Sequence, residues 1–264
     1  MDDLRGNRAL VFGLGLLGGG VATTNWLLKL GATVTVTDLK TKEQLAPSLK
    51  KIKGRARLAL GGHSDKLVRD NDVIVVNPDV PAGNPYVRLA FRLGKTVTNE
   101  TMLFYDRWPK PLIGVTGTRG KTTTTHWVNH FLNAKMRSTA VGNSTDHPFL
   151  KILDRADRFD IAVAETPSFQ LGLFNARTRT PDIAVITNVY ADHLNWHGTL
   201  KVYATAKANI FRRQSREQCL VLNADNPWTK YFLKQKSRSY VWLFSKRSHL
   251  FKQANGVFYK SRAI

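Results

Sequence analysis

What this sequence has least of is cysteine and acid. Its one cysteine, Cys219, permits no internal disulfide, so the fold has no disulfide framework and the usage suits a reducing cytoplasm. Cys219 sits in the apolar run Cys219-Leu220-Val221-Leu222, where a core position fits better than a nucleophile. Nineteen acidic residues face 40 lysines and arginines, a formal charge of +21. That balance favours anionic partners, whether nucleotides, nucleic acid or acidic membranes, without choosing among them. From Lys207 onward there are thirteen Lys or Arg against Glu217 and Asp225. Solvated lysines on an ordinary surface are the commoner explanation of such an excess.

Uninterrupted hydrophobic runs are also missing. Ala9 to Leu28 carries no charge, but Gly13, Gly15, Gly18, Gly19 and Gly20 punctuate it, which reads as strand, turn and helix rather than a membrane span. Asp2 and Asp3 beside Arg5 and Arg8 make a poor signal-peptide start. No targeting or spanning segment is expected, and the expected location is cytoplasmic. There is no short repeat, no low-complexity tail, and no helix-turn-helix, zinc or RNP signature. A basic nucleic-acid-binding ATPase would therefore rest on charge alone. With 264 residues and 42% hydrophobic content, the chain is long enough for two cores.

The first hundred residues alternate strand-like and helix-like runs. Ala9 to Phe12 leads into Gly13-Leu14-Gly15-Leu16-Leu17-Gly18, an apolar helix follows until Gly31, and Val34 to Thr37 runs into Asp38. An acid twenty residues beyond Gly18, with both strands in place, is the layout of a dinucleotide fold. A further strand, Asp72 to Val76, ends at a proline-rich turn, and Thr96 to Glu100 reads as a short last strand or turn. Asp106 to Pro111, with two prolines, is the best boundary.

Beyond it lies the most specific motif. Leu112 to Val115 is apolar, Thr116-Gly117-Thr118-Arg119-Gly120-Lys121-Thr122-Thr123-Thr124 follows, and Trp127, Val128, Phe131 and Leu132 then mark one side of a helix. Strand, glycine turn, Lys-Thr and helix hold a nucleotide triphosphate: backbone N–H groups converge on phosphate, Lys121 reaches the terminal phosphates and Thr122 can bind Mg²⁺. The generic phosphate-loop pattern wants a glycine where this chain has Val115. Later strands are expected at Ile161 to Ala164, Ile183 to Thr187 and Leu220 to Leu222, with a β-rich edge at Tyr240 to Phe244 and Gly256 to Tyr259.

Glu165 closes one of these strands, and Asn188 closes another before Asp192-His193. In a parallel sheet such strand ends share one crevice, so a carboxylate and an imidazole could meet the phosphates. His is an unusual partner for so hard a cation as Mg²⁺. Leu200, Tyr203, Lys207, Ile210 and Phe211 have helical spacing that puts Lys207 on the apolar face. A lysine there ordinarily snorkels to solvent, and the alternative is that it turns into the site and is carbamylated. His126 and His130 read as surface or packing residues, and His197 as a loop residue.

The ordered set Thr-Gly-Thr-x-Gly-Lys-Thr-Thr, Glu165-x-x-Ser168-Phe169-Gln170-Leu171, Asn188-Val189-x-x-Asp192-His193-Leu194 and Ala206-Lys207 resembles the Mur ligases, from about Leu4 to Tyr259. The Ser-Phe-Gln-Leu form and the Gly-Leu-Gly-Leu loop resemble the D-glutamate-adding branch of that family. The resemblance implies an α/β fold: a Rossmann-like UDP-substrate-binding domain over 1–108, then a P-loop-type ATP-binding central domain over 109–264 that is incomplete, with the third domain absent. It implies an ADP-forming ligase of peptidoglycan precursor synthesis that joins D-glutamate to UDP-MurNAc-L-alanine through an acyl phosphate.

Carried over by motif, Gly117 to Thr124 bind ATP, and Lys121, His193 and Lys207 are the catalytic set. Gly15, Leu16, Leu17, Asp38, Asn143 and His193 contact the substrate. Thr122 and Glu165 would hold one Mg²⁺, and His193 and a carbamylated Lys207 a second. Departures from the family pattern are Arg119 for asparagine, Thr166-Pro167 for Leu-Ser, Asn77-Pro78-Asp79 for Ser-Pro-Gly and Asn195-Trp196 for Asp-Arg. The family's pattern also runs on past Ile264. The implied partners are therefore the two substrates and a separate chain supplying a third domain, with the 264 residues weakly active or inactive alone. A non-catalytic regulatory partner of an intact ligase is the alternative.

Overall fold

The computed structural model describes residues 4–81, 83–142, 148–235, 237–246 and 255–258. The chain packs as two compact units. One comprises Met1–Arg107 with Asn143–Arg155, the other Trp108–Gly142 with Ala156–Ile264.

The first unit is built on five parallel strands: β1 (Arg8–Phe12), β2 (Thr33–Asp38), β3 (Arg57–Leu60), β4 (Val73–Val76) and β5 (Thr96–Thr98), in the order β3-β2-β1-β4-β5. The order reverses at β1, so a crevice opens at the carboxyl ends between β1 and β4. Connecting helices are α1 (Gly19–Lys29), α2 (Ala46–Leu49), α3 (Asp65–Arg69), α4 (Pro85–Arg92) and α5 (Glu100–Arg107). Because both sheet faces are covered, the strands read as near-continuous apolar runs: all four residues of β4, Val-Ile-Val-Val, are buried. The core joins Val11, Leu14, Val21, Leu27, Val36, Val75 and Leu103.

That core also takes Leu150, from far along the chain. Leu150 belongs to α7 (Phe149–Leu153), which packs on α1 and α5 and sets Phe149 against Phe104 at 5.2 Å between ring centroids. No local signal marked this return. Thr96 to Glu100 divides between β5 and the first residue of α5.

The second unit has seven parallel strands: β6 (Leu112–Thr116), β7 (Ser138–Val141), β8 (Ile161–Glu165), β9 (Ile183–Ile186), β10 (Cys219–Asn223), β11 (Tyr240–Ser245) and β12 (Asn255–Phe258). Their order is β12-β11-β10-β9-β6-β8-β7, so the edge expected from the sequence is β11 with β12, and Tyr259 lies outside the described residues. β6 is the pivot: it pairs with β8 on one side and β9 on the other, and the loop after it emerges where the winding reverses. The remaining helices are α6 (Lys121–Leu132), α8 (Ser168–Leu171), α9 (Leu194–His197), α10 (Leu200–Ala208) and α11 (Thr229–Leu233).

One expectation is corrected on α6. Val128 and Leu132 pack on Ile113, Val115 and Val163, but Trp127 and Phe131 do not join them and are 58% and 62% exposed. A single i, i+4 stripe covers the sheet, and the neighbouring aromatic pair packs on itself with centroids 5.5 Å apart and the rings tilted by 43°. Cys219 is half-buried, and burial pushes its thiol pKa up, which suits packing rather than nucleophilic chemistry. Among the described residues no helix is long and apolar enough to cross a membrane.

Candidate functional site

In the first unit the glycine loop between β1 and α1 is held by its own chain. Asp38, at the end of β2, accepts from Leu14 N–H at 2.9 Å and Gly15 N–H at 3.0 Å through Oδ2, and from Lys40 N–H at 2.9 Å through Oδ1. Burial alone would raise its pKa, but the three backbone donors outweigh burial and hold it below the usual value. Ser48 Oγ donates to Gly15 O at 2.7 Å, and Asn77 Nδ2 to Gly13 O at 3.0 Å. Gly20 has no alternative, since a Cβ there would stand 2.3 Å from Leu14 O. Leu16 and Leu17 stay outside this frame, Leu17 at 86% exposure, which leaves apolar side chains presented at the crevice mouth. Asn143 lies outside the described residues.

The second loop is stitched to β9's end. Thr118 N–H donates to Asn188 O and Arg119 N–H to Asn188 Oδ1, both at 2.9 Å. Asn188 Nδ2 and Thr187 Oγ1 return bonds to Arg119 O at 3.0 and 2.7 Å. The backbone of Arg119 is therefore fixed whatever its side chain, and the residue is exposed, so it does not crowd the loop. Gly120 caps α6 in the left-handed region (φ 79°), and no side chain caps the helix, which leaves its first N–H groups facing the loop. Lys121 Nζ folds back onto Thr118 O at 3.1 Å, while Thr122 and Thr123 are exposed on the first turn and Thr124 is half-buried.

Gly117 marks the tightest approach. A Cβ on it would lie 1.9 Å from Thr187 Oγ1 and 3.3 Å from Asn188 N, at φ +155°. Gly117→Ala is expected to lose about 1–3 kcal/mol and to break the Thr187–Arg119 bond. Urea unfolding checks this, and unchanged stability would mean that Thr187 does not set the loop.

Glu165 ends β8 beside Val115 of β6, and Thr166 N–H donates to Val115 O at 2.8 Å. His193 starts α9 as the one described non-glycine residue with positive φ (50°), its ring edge-on to Phe169 at 4.9 Å and 3.7 Å from the Asp192 carboxylate. Asn188, Glu165 and the phosphate loop are thus gathered at strand ends around β6. His126 and His130 are exposed, as the sequence suggests.

Lys207 overturns the snorkelling expectation. It is 1% exposed, donates from Nζ to Gly117 O at 2.8 Å, and its amine stands 4.2 Å over the Tyr203 ring. Burial, then the charge of Lys121, lower its pKa well below that of an ordinary lysine, against a weaker pull from Asp192. An inward amine that is easily deprotonated is a nucleophile toward CO₂, whereas a snorkelled ammonium is not.

Three residues escaped the sequence reading. Tyr203 shares hydrogen bonds with Thr118 and Ser168, and burial raises its pKa. His197 lies on α9 rather than in a loop: the left-handed turn at His193 winds the chain once, and His197 Nε2 meets Ser168 Oγ at 3.1 Å. Burial, then Lys207 and His193, lower its pKa to about 4, so the imidazole is neutral at physiological pH. The third is Asp192, whose charge reaches Lys207. The four-residue spacing of His193 and His197 was the available signal. Among the described residues no three His, Cys, Asp or Glu side chains gather as a metal group.

Each of the two parallel α/β units has a glycine turn that opens a helix at its sheet's winding reversal, the arrangement that nucleotide-binding α/β folds use. Residues 115–263 match the Mur ligase middle domain and residues 7–99 the Mur ligase MurD-like N-terminal domain. The chain belongs to the Mur ligase family. It is 37% identical over 246 residues to a UDP-N-acetylmuramoylalanine–D-glutamate ligase of Roseiflexus sp. (strain RS-1), covering 92% of this chain and 53% of that one. The chain thus spans about half the length of the curated relatives it matches. Among solved structures, the UDP-N-acetylmuramate:L-alanyl-gamma-D-glutamyl-meso-diaminopimelate ligase from Neisseria meningitides aligns with a TM-score of 0.55 at 18% identity, covering 90% of this chain and 78% of that one. MurF ligase from Thermotoga maritima in complex with ADP gives a TM-score of 0.50 at 19% identity, covering 94% and 52%. These two likenesses bear on the fold.

Proposed function

We propose that the chain carries the substrate- and ATP-binding portion of a ligase that joins D-glutamate to UDP-MurNAc-L-alanine with release of ADP and phosphate, in the cytoplasm. The observation that carries this is Lys207: its buried amine rests on the carbonyl of Gly117, which ties α10 to the phosphate loop. The 37% identity to a D-glutamate ligase supports the choice of acceptor. The unit built on β1 to β5, which takes in residues 143–155, is the UDP-substrate part, with Gly15, Leu16, Leu17, Asp38 and Asn143 assigned to the substrate; the unit built on β6 to β12 is the ATP part, and His193 is its assigned substrate residue.

The donor set fits Mg²⁺. Thr122 offers an exposed hydroxyl on the first turn of α6, Glu165 a carboxylate at the adjacent strand end, and Lys207, once carbamylated, an anionic oxygen in place of a cation. His193 is the softer member. Bound there, the ions would offset charge between two approaching anions. Within that site Lys121 draws the terminal phosphate, the loop amides orient it, and the neutral His197 holds Ser168 and Phe169 in place beside His193. The substrate carboxylate attacks the γ-phosphorus, ADP leaves, and the amine of D-glutamate displaces phosphate from the acyl phosphate.

Calorimetry is expected to register binding of both ATP·Mg²⁺ and UDP-MurNAc-L-alanine. The 264-residue polypeptide by itself is expected to release little phosphate, because turnover draws on the half of the relatives' length that it does not span, in one polypeptide or from a second. Substrate-dependent phosphate release at ordinary enzyme rates by these 264 residues would overturn that statement, and failure to bind UDP-MurNAc-L-alanine would overturn the reading itself. In ¹³C-bicarbonate at pH 8 the protein is expected to give a carbamate resonance that Lys207→Met lacks. A spectrum without it removes Lys207 from the metal set.

A further inference from the structure

Glu100 belongs to neither glycine loop. It follows β5 and opens α5, at the carboxyl end of the five-stranded sheet, and is only 5% exposed. Its Oε1 has no hydrogen-bond partner among the described residues. Its Oε2 lies 3.9 Å from the place of a Cβ on Gly19, so the carboxyl abuts the first turn of α1. With Gly13, Gly19, Gly20, Asn77 and Pro78 it lines a cavity beneath the glycine loop.

Among the described residues no cation answers it. On α1 the basic residue is Lys29, in the last turn, paired with Asp154, the residue after α7, at 2.6 Å. Helix α7 adds Lys151, and α5 itself ends in Asp106 and Arg107, whose guanidinium stands 5.2 Å over Trp26. In β1, Arg8 is held by Asp72 at the strand's opposite end, and β4 has no charged residue. None of these charges contributes at the Glu100 carboxyl. Burial raises its pKa to about 7, against one backbone N–H, that of Leu150, which favours the charged form.

Helix α1 has 11 residues, and no side chain caps its start at Gly18. Its N-terminal amides are the natural seat for an anion at the glycine loop. An ionised Glu100 and a bound diphosphate would draw on that one amide field from opposite sides, across a buried and weakly screening path. We infer that Glu100 is the proton acceptor coupled to anion binding at this loop: a nucleoside diphosphate binds there with uptake of a proton onto the Glu100 carboxylate. This rests on the reading that the glycine loop holds the UDP part of the substrate. The carboxylate takes its proton from solvent and no bond to the ligand forms; neutralising the buried charge leaves the amide field to the diphosphate. Where Glu100 is ionised in the free protein, affinity therefore falls with rising pH, by up to tenfold per pH unit.

The test is calorimetric titration of the full chain with UDP-MurNAc-L-alanine at pH 8, in Tris and in HEPES, whose ionisation enthalpies differ. Its diphosphate is a diester that does not titrate near this pH. The wild type is expected to take up roughly one proton per ligand. Glu100→Gln is expected to bind with equal enthalpies in both buffers and with an affinity flat from pH 7 to 8.5. Glu100→Met, an apolar replacement of similar length, should also abolish uptake, so the result does not hang on one variant's folding. Binding without uptake in the wild type overturns the inference and leaves the UDP reading standing, as does equal uptake in wild type and Glu100→Gln. No binding by the wild type at any pH overturns both.

Discussion

Lys121→Ala is expected to cost roughly a hundredfold in ATP affinity, since a charge-assisted bond to a phosphate oxygen contributes about 1.5–3 kcal/mol and each 1.4 kcal/mol is tenfold. The Lys121 amine rests on Thr118 O within the loop, so it needs no large rearrangement to reach a phosphate there. The loop itself does not depend on that bond, because Asn188 and Thr187 hold Thr118 and Arg119. The variant should therefore melt like the wild type while losing the ligand. Calorimetry with ATP·Mg²⁺ checks this, and affinity within about threefold of wild type would remove the loop from the ATP site. Lys207 gains a second effect from the same change: Lys121 is the larger of the charges acting on it, so its amine should become more basic in the variant.

The second large effect is on stability. Glu100 is pushed from 4.5 to about 7 by burial, so the folded first unit binds this proton more tightly than the unfolded chain does. Its contribution is fully present below pH 4.5 and is lost as pH rises toward 7, after which the buried charge leaves a penalty of about 3 kcal/mol. Glu100→Gln is expected to match wild type near pH 4 and to exceed it by up to about 3 kcal/mol at pH 8. Denaturant unfolding at the two values decides it. An equal difference at both would show that the substitution acts through packing and not through charge.

How much could be read from the sequence differs by element. β1, β4, β6, β8, β9 and β10 stand out because buried parallel strands are largely apolar and end close to Gly, Asn or Glu, and β2 stands out by the Thr/Val alternation that runs into Asp38. Two of the four edge strands do not: β3 is Arg-Leu-Ala-Leu and β7 is Ser-Thr-Ala-Val, too short and mixed to mark themselves. The glycine turn between β6 and α6 was legible because strand, turn and helix follow one another directly in the sequence. Lys207 was not, since its helical spacing fits either a snorkelled or an inward amine, and the deciding acceptor, Gly117 O, belongs to a loop far away in sequence. His197 and Ser168 likewise meet only through the single turn of α9. Glu100 carried no signal, as nothing local tells a buried acid from a helix-opening one.

The return of α7 to the first unit has a consequence for synthesis. A polypeptide emerging in sequence order presents β1 to α5 early, but the core they form stays short of Leu150 until the chain has passed β6, α6 and β7 of the second unit. The first unit's core therefore cannot close before part of the second unit's sequence has been made, and the chain passes from one unit to the other three times. Independent, one-after-the-other maturation of two modules, the default for a two-unit protein, is closed to this one.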